Sequence, residues 1–287
     1  MSSLTLASAT PEPVRLPGLP RLRERWRLIG TILAVAALLL LTLFGPMIGP
    51  YAPDAVDVSQ RMQPPSSTHI MGTDPLGRDL FSRVLAGARV SLPAVLVIVA
   101  SAVAIGVVLG AVAGYLGGIV DDVIMRLTDI FLAFPALVLA LAIAGALGPA
   151  LTTAMLAVSV VWWPWYARLT RGQVIARKQD LYVEAARASG CTDRVILQRH
   201  VLPNSWTPIV VQATLDMGAA LITTASLGYI GMGAQPPSAE WGAMLSQARD
   251  YFLNAWWLTF FPGLAIFLSV LIFTAAGELV REATATR

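Results

Sequence analysis

Apolar runs of membrane-spanning length, repeated along most of the chain, decide its environment before anything else is read. They lie near Leu28–Gly49, Ser91–Gly114, Leu127–Leu147, Leu151–Tyr166, Thr207–Gly231 and Ala255–Ala276. A helix needs about 20 mostly apolar residues to cross the hydrocarbon core. Lipid offers no partner to free backbone N–H and C=O groups, so open segments of this kind must be helical. The expected fold is therefore all-α, a polytopic membrane protein with six transmembrane helices. The composition agrees, with 56% hydrophobic and 13% charged residues, well outside the balance of a soluble domain.

Charge supplies the sidedness. With residues 1–27 as a cytoplasmic tail, six crossings place Arg15, Arg21, Arg23, Arg25, Arg27, Arg126, Arg168, Arg171, Arg177, Lys178, Arg187, Arg194, Arg199, Arg281 and Arg287 inside. Only Arg61, Arg78, Arg83, Arg89 and Arg249 fall outside. This asymmetry follows the positive-inside rule and predicts both termini cytoplasmic. The organisation expected is a tail over 1–27, a first transmembrane helix over 28–49, an external segment over 50–90, a five-helix core over 91–276 containing a cytoplasmic loop over 167–206, and a cytoplasmic tail over 277–287. The run from Leu28 to Phe44 is long for a signal-peptide core and Gly45-Pro46-Met47 offers no small-residue cleavage site, so the first helix is read as a retained anchor.

Several chemistries are excluded or left without support. Cys191 is the single cysteine and His69 and His200 are the only histidines, so an internal disulfide is impossible and a Cys/His zinc site lacks ligands. No metal site and no cofactor is expected in this chain. A phosphate-binding loop needs Gly-Lys followed by Ser or Thr, whereas the sole lysine, Lys178, follows Arg177. The chain is thus not expected to hydrolyse ATP. Membrane sidedness accounts for the basic residues, so nucleic acid is not an expected partner. An intramembrane enzyme is the distant alternative, but catalytic groups do not cluster at one depth. An ion-coupled carrier would show paired, interrupted helices.

Two carboxylates fall within apolar runs. Asp129 lies near the inner end of its run and is read as hydrated. Asp216 sits inside the fifth run, where an ionisable group normally faces protein or water, and is weighed evenly between lining a polar pathway and pairing with another helix. Thr223, Thr224 and Ser226 join it as candidates for a translocation lining. Ala102, Gly106, Gly110 and Gly114 form a four-residue stripe that allows close backbone approach, with packing inside the chain favoured over a second subunit. Arg78, Arg83 and Arg89 are read as solvent-facing loop charges.

The inner loop carries the densest pattern. Asp180-Leu-Tyr-Val-Glu-Ala-Ala-Arg-Ala-Ser-Gly190 reads as a short helix closed by a left-handed glycine, with Glu184 and Arg187 spaced to pair. Thr192 or Asp193 then caps a second helix over Arg194–Arg199. Small alanines beside a bend suit docking into a groove of another protein, against which an ordinary interfacial helix stays open.

Glu184-Ala185-Ala186, Gly190 and Leu202-Pro203 resemble the EAA loop of ABC importer permeases, the element that docks on the cytoplasmic ATPase. Gly72-Thr-Asp-Pro-Leu-Gly-Arg-Asp79, Ala225-Ser-Leu-Gly-Tyr-Ile-Gly231 with Trp241-Gly242, Phe261-Pro-Gly263 and Gly277-Glu278 are similar to stretches of the peptide and nickel group. The resemblance covers about Arg27 to Glu282 and is to the C-type permease subunit of a dipeptide or oligopeptide importer. It implies a type I ABC importer permease fold in a bacterial inner membrane and a half-share of a pathway for dipeptides or short oligopeptides, with haem or nickel complexes as the alternative cargo. It also implies a homologous B-type permease, two ATPases or one fused ATPase carrying ATP and Mg, an external substrate-binding protein and the lipid bilayer as partners. Glu184, Ala185, Ala186, Gly190, Leu202 and Pro203 are the implied ATPase-coupling residues, and the loop is expected to rock the fourth and fifth helices. At Thr224 many relatives carry a glutamate, which puts a carboxylate role at that position in doubt.

Overall fold

In the computed structural model, which describes residues 22–285, the chain is helical and the described residues hold no strand beyond one isolated bridge between Thr73 and Asp79. The helices are α1 (Leu22–Ile48), α2 (Leu80–Leu116), α3 (Gly118–Leu132), α4 (Ala136–Leu147), α5 (Leu151–Arg177), α6 (Leu181–Ala188), α7 (Asp193–Ile196), α8 (Leu202–Ile230), α9 (Trp241–Ala248) and α10 (Trp256–Ala285). Arg15, Arg21 and Arg287, which the charge count placed inside, lie outside the described residues.

Four of these helices are long and apolar enough to cross a membrane, among the described residues, and the α3–α4 pair makes a fifth if taken as one span. Helix α5 is equally long, but its middle is Trp162-Trp163-Pro164-Trp165-Tyr166, whose polar ring edges lower its hydropathy without shortening it. The third predicted span, Leu127–Leu147, is not a single straight helix. It is broken at residues 133–135, where α3 and α4 meet at 88°. Pro135 donates no backbone hydrogen bond and disfavours helical geometry in the residue before it, which ends α3 there.

Contacts decide how the bent pair runs. Ideal Cβ atoms on Gly106, Gly110 and Gly114 of α2 would meet, in that order, backbone of Trp163 and Ala167, of Ala167, and of Arg171 on α5. Residue numbers rise together, so α2 and α5 are parallel, and α3–α4 must carry the chain back from one end of the bundle to the other. Two other neighbouring pairs are antiparallel. Gly45 of α1 and Gly49 just after it face Leu85 and Ser82 of α2, and Gly218 and Leu215 of α8 face Val270 and Gly277 of α10. The N-terminal turn of α1 and the end of α10 meet through Arg27 and Glu282 at 3.4 Å. This path is compatible with six crossings and brings both ends of the described chain to one end of the bundle.

Helix ends overrun the apolar limits read from sequence. Helix α5 continues to Arg177 and α8 begins at Leu202, so the inner loop shrinks to residues 178–201. Helix α10 runs through Glu278 and Arg281, and α2 starts at Leu80 inside the expected external segment. Hydropathy registers only the part of a helix that lipid surrounds, whereas backbone hydrogen bonding continues into polar sequence while packing supports it.

The small-residue stripe thus packs within the chain. An added Cβ at Gly110 would lie 2.3 Å from the Ala167 carbonyl oxygen, whereas at Gly172 it would meet nothing within 4 Å. Gly110→Val should therefore destabilise the purified protein by about 1–3 kcal/mol or more, as overpacking does, read as a lowered melting temperature in detergent. Gly172→Ala should leave that temperature unchanged or slightly raised.

Candidate functional site

Three polar regions stand out along the bundle. At the end where α2 and α5 terminate, α6 projects as a short helix between two turns. Its C-terminal turn is closed as the sequence predicts. Gly190 has φ +81°, its N–H donates to the Arg187 carbonyl at 3.0 Å, and the Cys191 N–H reaches back to Ala186 at 3.1 Å. This is the paired hydrogen-bond closure that a left-handed residue makes available.

The six predicted coupling residues divide by exposure. Glu184, Ala185 and Pro203 are exposed and Leu202 is half-buried. Ala186 is turned inward, with Val183, against Val174, Ile196 and Val201. It is therefore a packing residue within this chain. Glu184 and Arg187 do not pair as spaced. Arg187 instead faces Asp193 at 4.0 Å, because the turn at Gly190 folds α7 back beside α6. The second short helix is also altered, ending at Ile196 and passing through a wider π-turn over Leu197–Val201 directly into α8.

What fastens this element was not visible as a pattern. Lys178 Nζ donates to the carbonyls of Gly114 and Tyr115 at 3.0 and 3.3 Å, neutralising the C-terminal end of α2. The Tyr115 hydroxyl donates to Asp193 Oδ1 at 2.6 Å. Arg171 makes a two-pronged contact with Asp121 of α3. Their only sequence signal was that Lys178 is the sole lysine.

Midway along the bundle, α8 shows one exposed face. Asp216 accepts hydrogen bonds from the Tyr166 hydroxyl of α5 at 2.7 Å and from Gln212 Nε2 at 2.8 Å. Of the two readings weighed for it, pairing with another helix is present, and Asp216 also borders a cavity of about 660 Å³ with Trp162, Trp165, Arg168 and Gln212. The side chain of Asp129 is 61% exposed and pairs with Arg168. Of the other lining candidates, Ser226 borders a second, more apolar cavity of about 730 Å³ with Tyr229, Arg249 and Phe252. Thr223 is half-buried and Thr224 buried. The hydroxyls of all three donate to carbonyls four residues earlier, which satisfies them within the helix. Thr224 faces the protein and lines neither cavity.

At the opposite end, residues 50–79 and α9 build a compact platform. Arg78 and Arg83 are 3% and 1% exposed, which overturns their reading as solvent-facing charges. Arg78 Nε donates to Asp74 Oδ2 at 2.6 Å and its Nη2 to Gln247 Oε1 at 3.1 Å. Arg83 donates to Asp54, Pro53 and Pro237. His69 Nδ1 lies 2.9 Å from Asp79 Oδ1, while Asp79 Oδ2 caps α2 at the Ser82 N–H, 2.8 Å away. Glu240, also 1% exposed, accepts from the N–H groups of Gly242 and Ala243 at 2.8 Å each and so starts α9. Burial pushes its carboxyl above the usual range, partly offset by those donors. Arg89 alone of the three arginines is exposed as read.

Residues 106–285 match the family described as binding-protein-dependent transport system inner membrane component. The chain belongs to that family. It is a permease subunit of an ABC importer, whose ATPase resides in partner subunits. Among curated relatives of this inner membrane component, the chain is 47% identical over 263 residues to the probable D,D-dipeptide transport system permease protein DdpC of Escherichia coli (strain K12), covering 90% of this chain and 88% of that one. It is 41% identical over 261 residues to the dipeptide transport system permease protein DppC of Alkalihalophilus pseudofirmus, with 91% and 86% covered. It is 44% identical to the glutathione transport system permease protein GsiD of Shigella flexneri, with 95% and 91% covered. The fold is that of the inward-facing MetNI methionine ABC transporter permease, with a TM-score of 0.58 at 20% identity over 70% of this chain and 95% of that one.

The buried arginines of the platform set a clear expectation. Arg83→Met leaves Asp54 and the carbonyls of Pro53 and Pro237 without this donor, and hydrogen bonds to a charged group are worth about 1.5–3 kcal/mol each. The variant should lose most of its folded yield, while Arg89→Met should purify normally, as judged by gel filtration and thermal unfolding.

Proposed function

We propose that this permease subunit forms half of a pathway that admits dipeptides or short oligopeptides, with a homologous B-type permease forming the other half. Two ATPases, or one fused ATPase, bind its cytoplasmic end and an external binding protein delivers cargo to the opposite end. The cargo class is supported by relatives over 40% identical, whose names specify dipeptides or glutathione. Both termini are assigned to the cytoplasm, as the arginine-rich segments favour.

The observation that carries the coupling role is the geometry of α6. Its exposed edge, with Glu184 and Ala185, is held on a helix whose other side is locked into the chain by Val183 and Ala186. A load applied by the ATPase at Glu184 passes to α2 through Lys178 and Tyr115, and to α8 through the π-turn. Since α2 and α5 are packed backbone to backbone, they move as one unit while α8 rocks against them. The reading expected from sequence, in which the fourth and fifth helices respond, is thereby extended to α2. The exposed face of α8, from Gln212 and Asp216 to Ser226, is assigned to the pathway. The buried platform of residues 50–79 and α9 is assigned to the side that receives the binding protein, its rigidity suited to docking.

Gly190→Val tests the coupling. Nothing lies within 4 Å of an added Cβ, so the effect must come from φ +81°, which costs a β-branched residue about 1–2 kcal/mol or more. The variant should insert and assemble normally but transport several-fold less dipeptide per ATP hydrolysed in proteoliposomes. Glu184→Lys should instead reduce the ATPase subunits that co-purify with the permease pair. Unaltered transport stoichiometry for the first, or full complexes for the second, removes that residue from the mechanism. Uptake of labelled dipeptide into cells lacking only this chain, with and without complementation, tests the cargo.

A further inference from the structure

The carboxylates on the inner half of the bundle differ in how their charge is balanced. Asp121 pairs with Arg171 and Asp129 with Arg168. Asp216 makes no ion pair among the described residues. Its two oxygens accept one hydrogen bond each, from the neutral Tyr166 hydroxyl and Gln212 amide. A carboxylate oxygen has about two lone pairs, so each retains an acceptor position. An uncompensated ionisable group at this depth is costly and persists where it faces a water-filled or ligand-bearing space.

That space is present. The cavity beside Asp216, about 660 Å³, falls within the range of roughly 300–1,000 Å³ typical of small-molecule sites. The indoles of Trp162 and Trp165 border it, and indole rings attract ammonium groups more strongly than other aromatic side chains. The cavity's own cation, Arg168, is already engaged by Asp129 of α3. The remaining negative charge, with aromatic walls and few further oxygens, suits an organic ammonium rather than a metal ion, which requires several oxygen ligands. No group of three or more candidate metal ligands occurs among the described residues.

We propose that Asp216 receives the N-terminal ammonium group of a peptide in transit, between the indoles of Trp162 and Trp165, with Tyr166 and Gln212 fixing the carboxylate. The proposal rests on the peptide reading of this permease. A free N-terminus is common to all unblocked peptides, so a single such site accepts cargo of varied side chains and contributes selectivity against uncharged solutes.

Two variants separate this role from that of a polar staple between α5 and α8. Asp216→Asn keeps the shape and, with the Gln212 amide turned over, both hydrogen bonds, but removes the charge. Asp216→Glu keeps the charge and lengthens the side chain by one methylene. The complete complex with ATPases and binding protein is reconstituted in proteoliposomes and ATP-driven uptake of a labelled dipeptide with a free N-terminus is measured, co-purification of all subunits serving as the check on assembly. Loss of a charge-assisted contact predicts uptake reduced about tenfold or more in Asp216→Asn, with most of it recovered in Asp216→Glu. A structural staple predicts the reverse order, with Asn tolerated and Glu damaging, and that result overturns the proposal. Uptake within about twofold of the native complex in both variants overturns it as well. Absence of uptake by the native complex overturns the peptide reading itself and the proposal with it.

Discussion

The close approach of α2 to α5 is the contact on which the rest of this permease depends. With Gly106, Gly110 and Gly114 on one stripe, the α2 backbone lies against the backbone of Trp163, Ala167 and Arg171 and the Cβ atoms of Tyr166, Thr170 and Val174. In lipid, helix association draws little on the hydrophobic effect and relies on van der Waals contact of this kind. The parallel arrangement that results forces the α3–α4 segment to recross the bundle. It also brings the ends of α2 and α5 together, where Lys178 and Arg171 can reach their partners.

From that joint α6 and the turns beside it acquire their support. A helix as short as α6 would be marginal alone. Here Val183 and Ala186 are buried against Val174, Ile196 and Val201, and Gly190 closes the turn without a Cβ to strain it. The same packing leaves Glu184 and Ala185 outward. Next to that edge α2 and α5 are packed together, and α7 runs through a π-turn over Leu197–Val201 into α8.

Charge is handled differently at each level of the bundle. In the platform of residues 50–79 and α9, Arg78 and Arg83 are buried but satisfied by Asp74, Asp54, Gln247 and backbone carbonyls. Near the inner end, Asp121 and Asp129 hold Arg171 and Arg168. Between them Asp216 has neutral donors and an open cavity. These arginines are thus paired within the chain, whereas Asp216 beside the cavity keeps acceptor positions free.

Much was legible from residues alone. Apolar length specified an all-helical membrane fold, the stripe of small residues specified a close helix contact, and the pattern from Asp180 to Gly190 specified a short helix closed by a left-handed glycine, because each rests on local spacing. The bend near Pro135 lay in the sequence as a proline but was hidden inside a continuous apolar run. Burial of Ala186 rather than its exposure, and of Arg78 and Arg83 rather than their hydration, was decided by tertiary structure. Those outcomes depend on which groups distant segments bring alongside: Gln247 lies 169 residues beyond Arg78, and no local pattern can specify such a partner. The pairing of Asp216 with Tyr166 across 50 residues is of the same kind. An isolated aspartate in an apolar run announces that something must satisfy it, but only the packing of α5 against α8 determines that the answer is two neutral hydrogen bonds and a cavity.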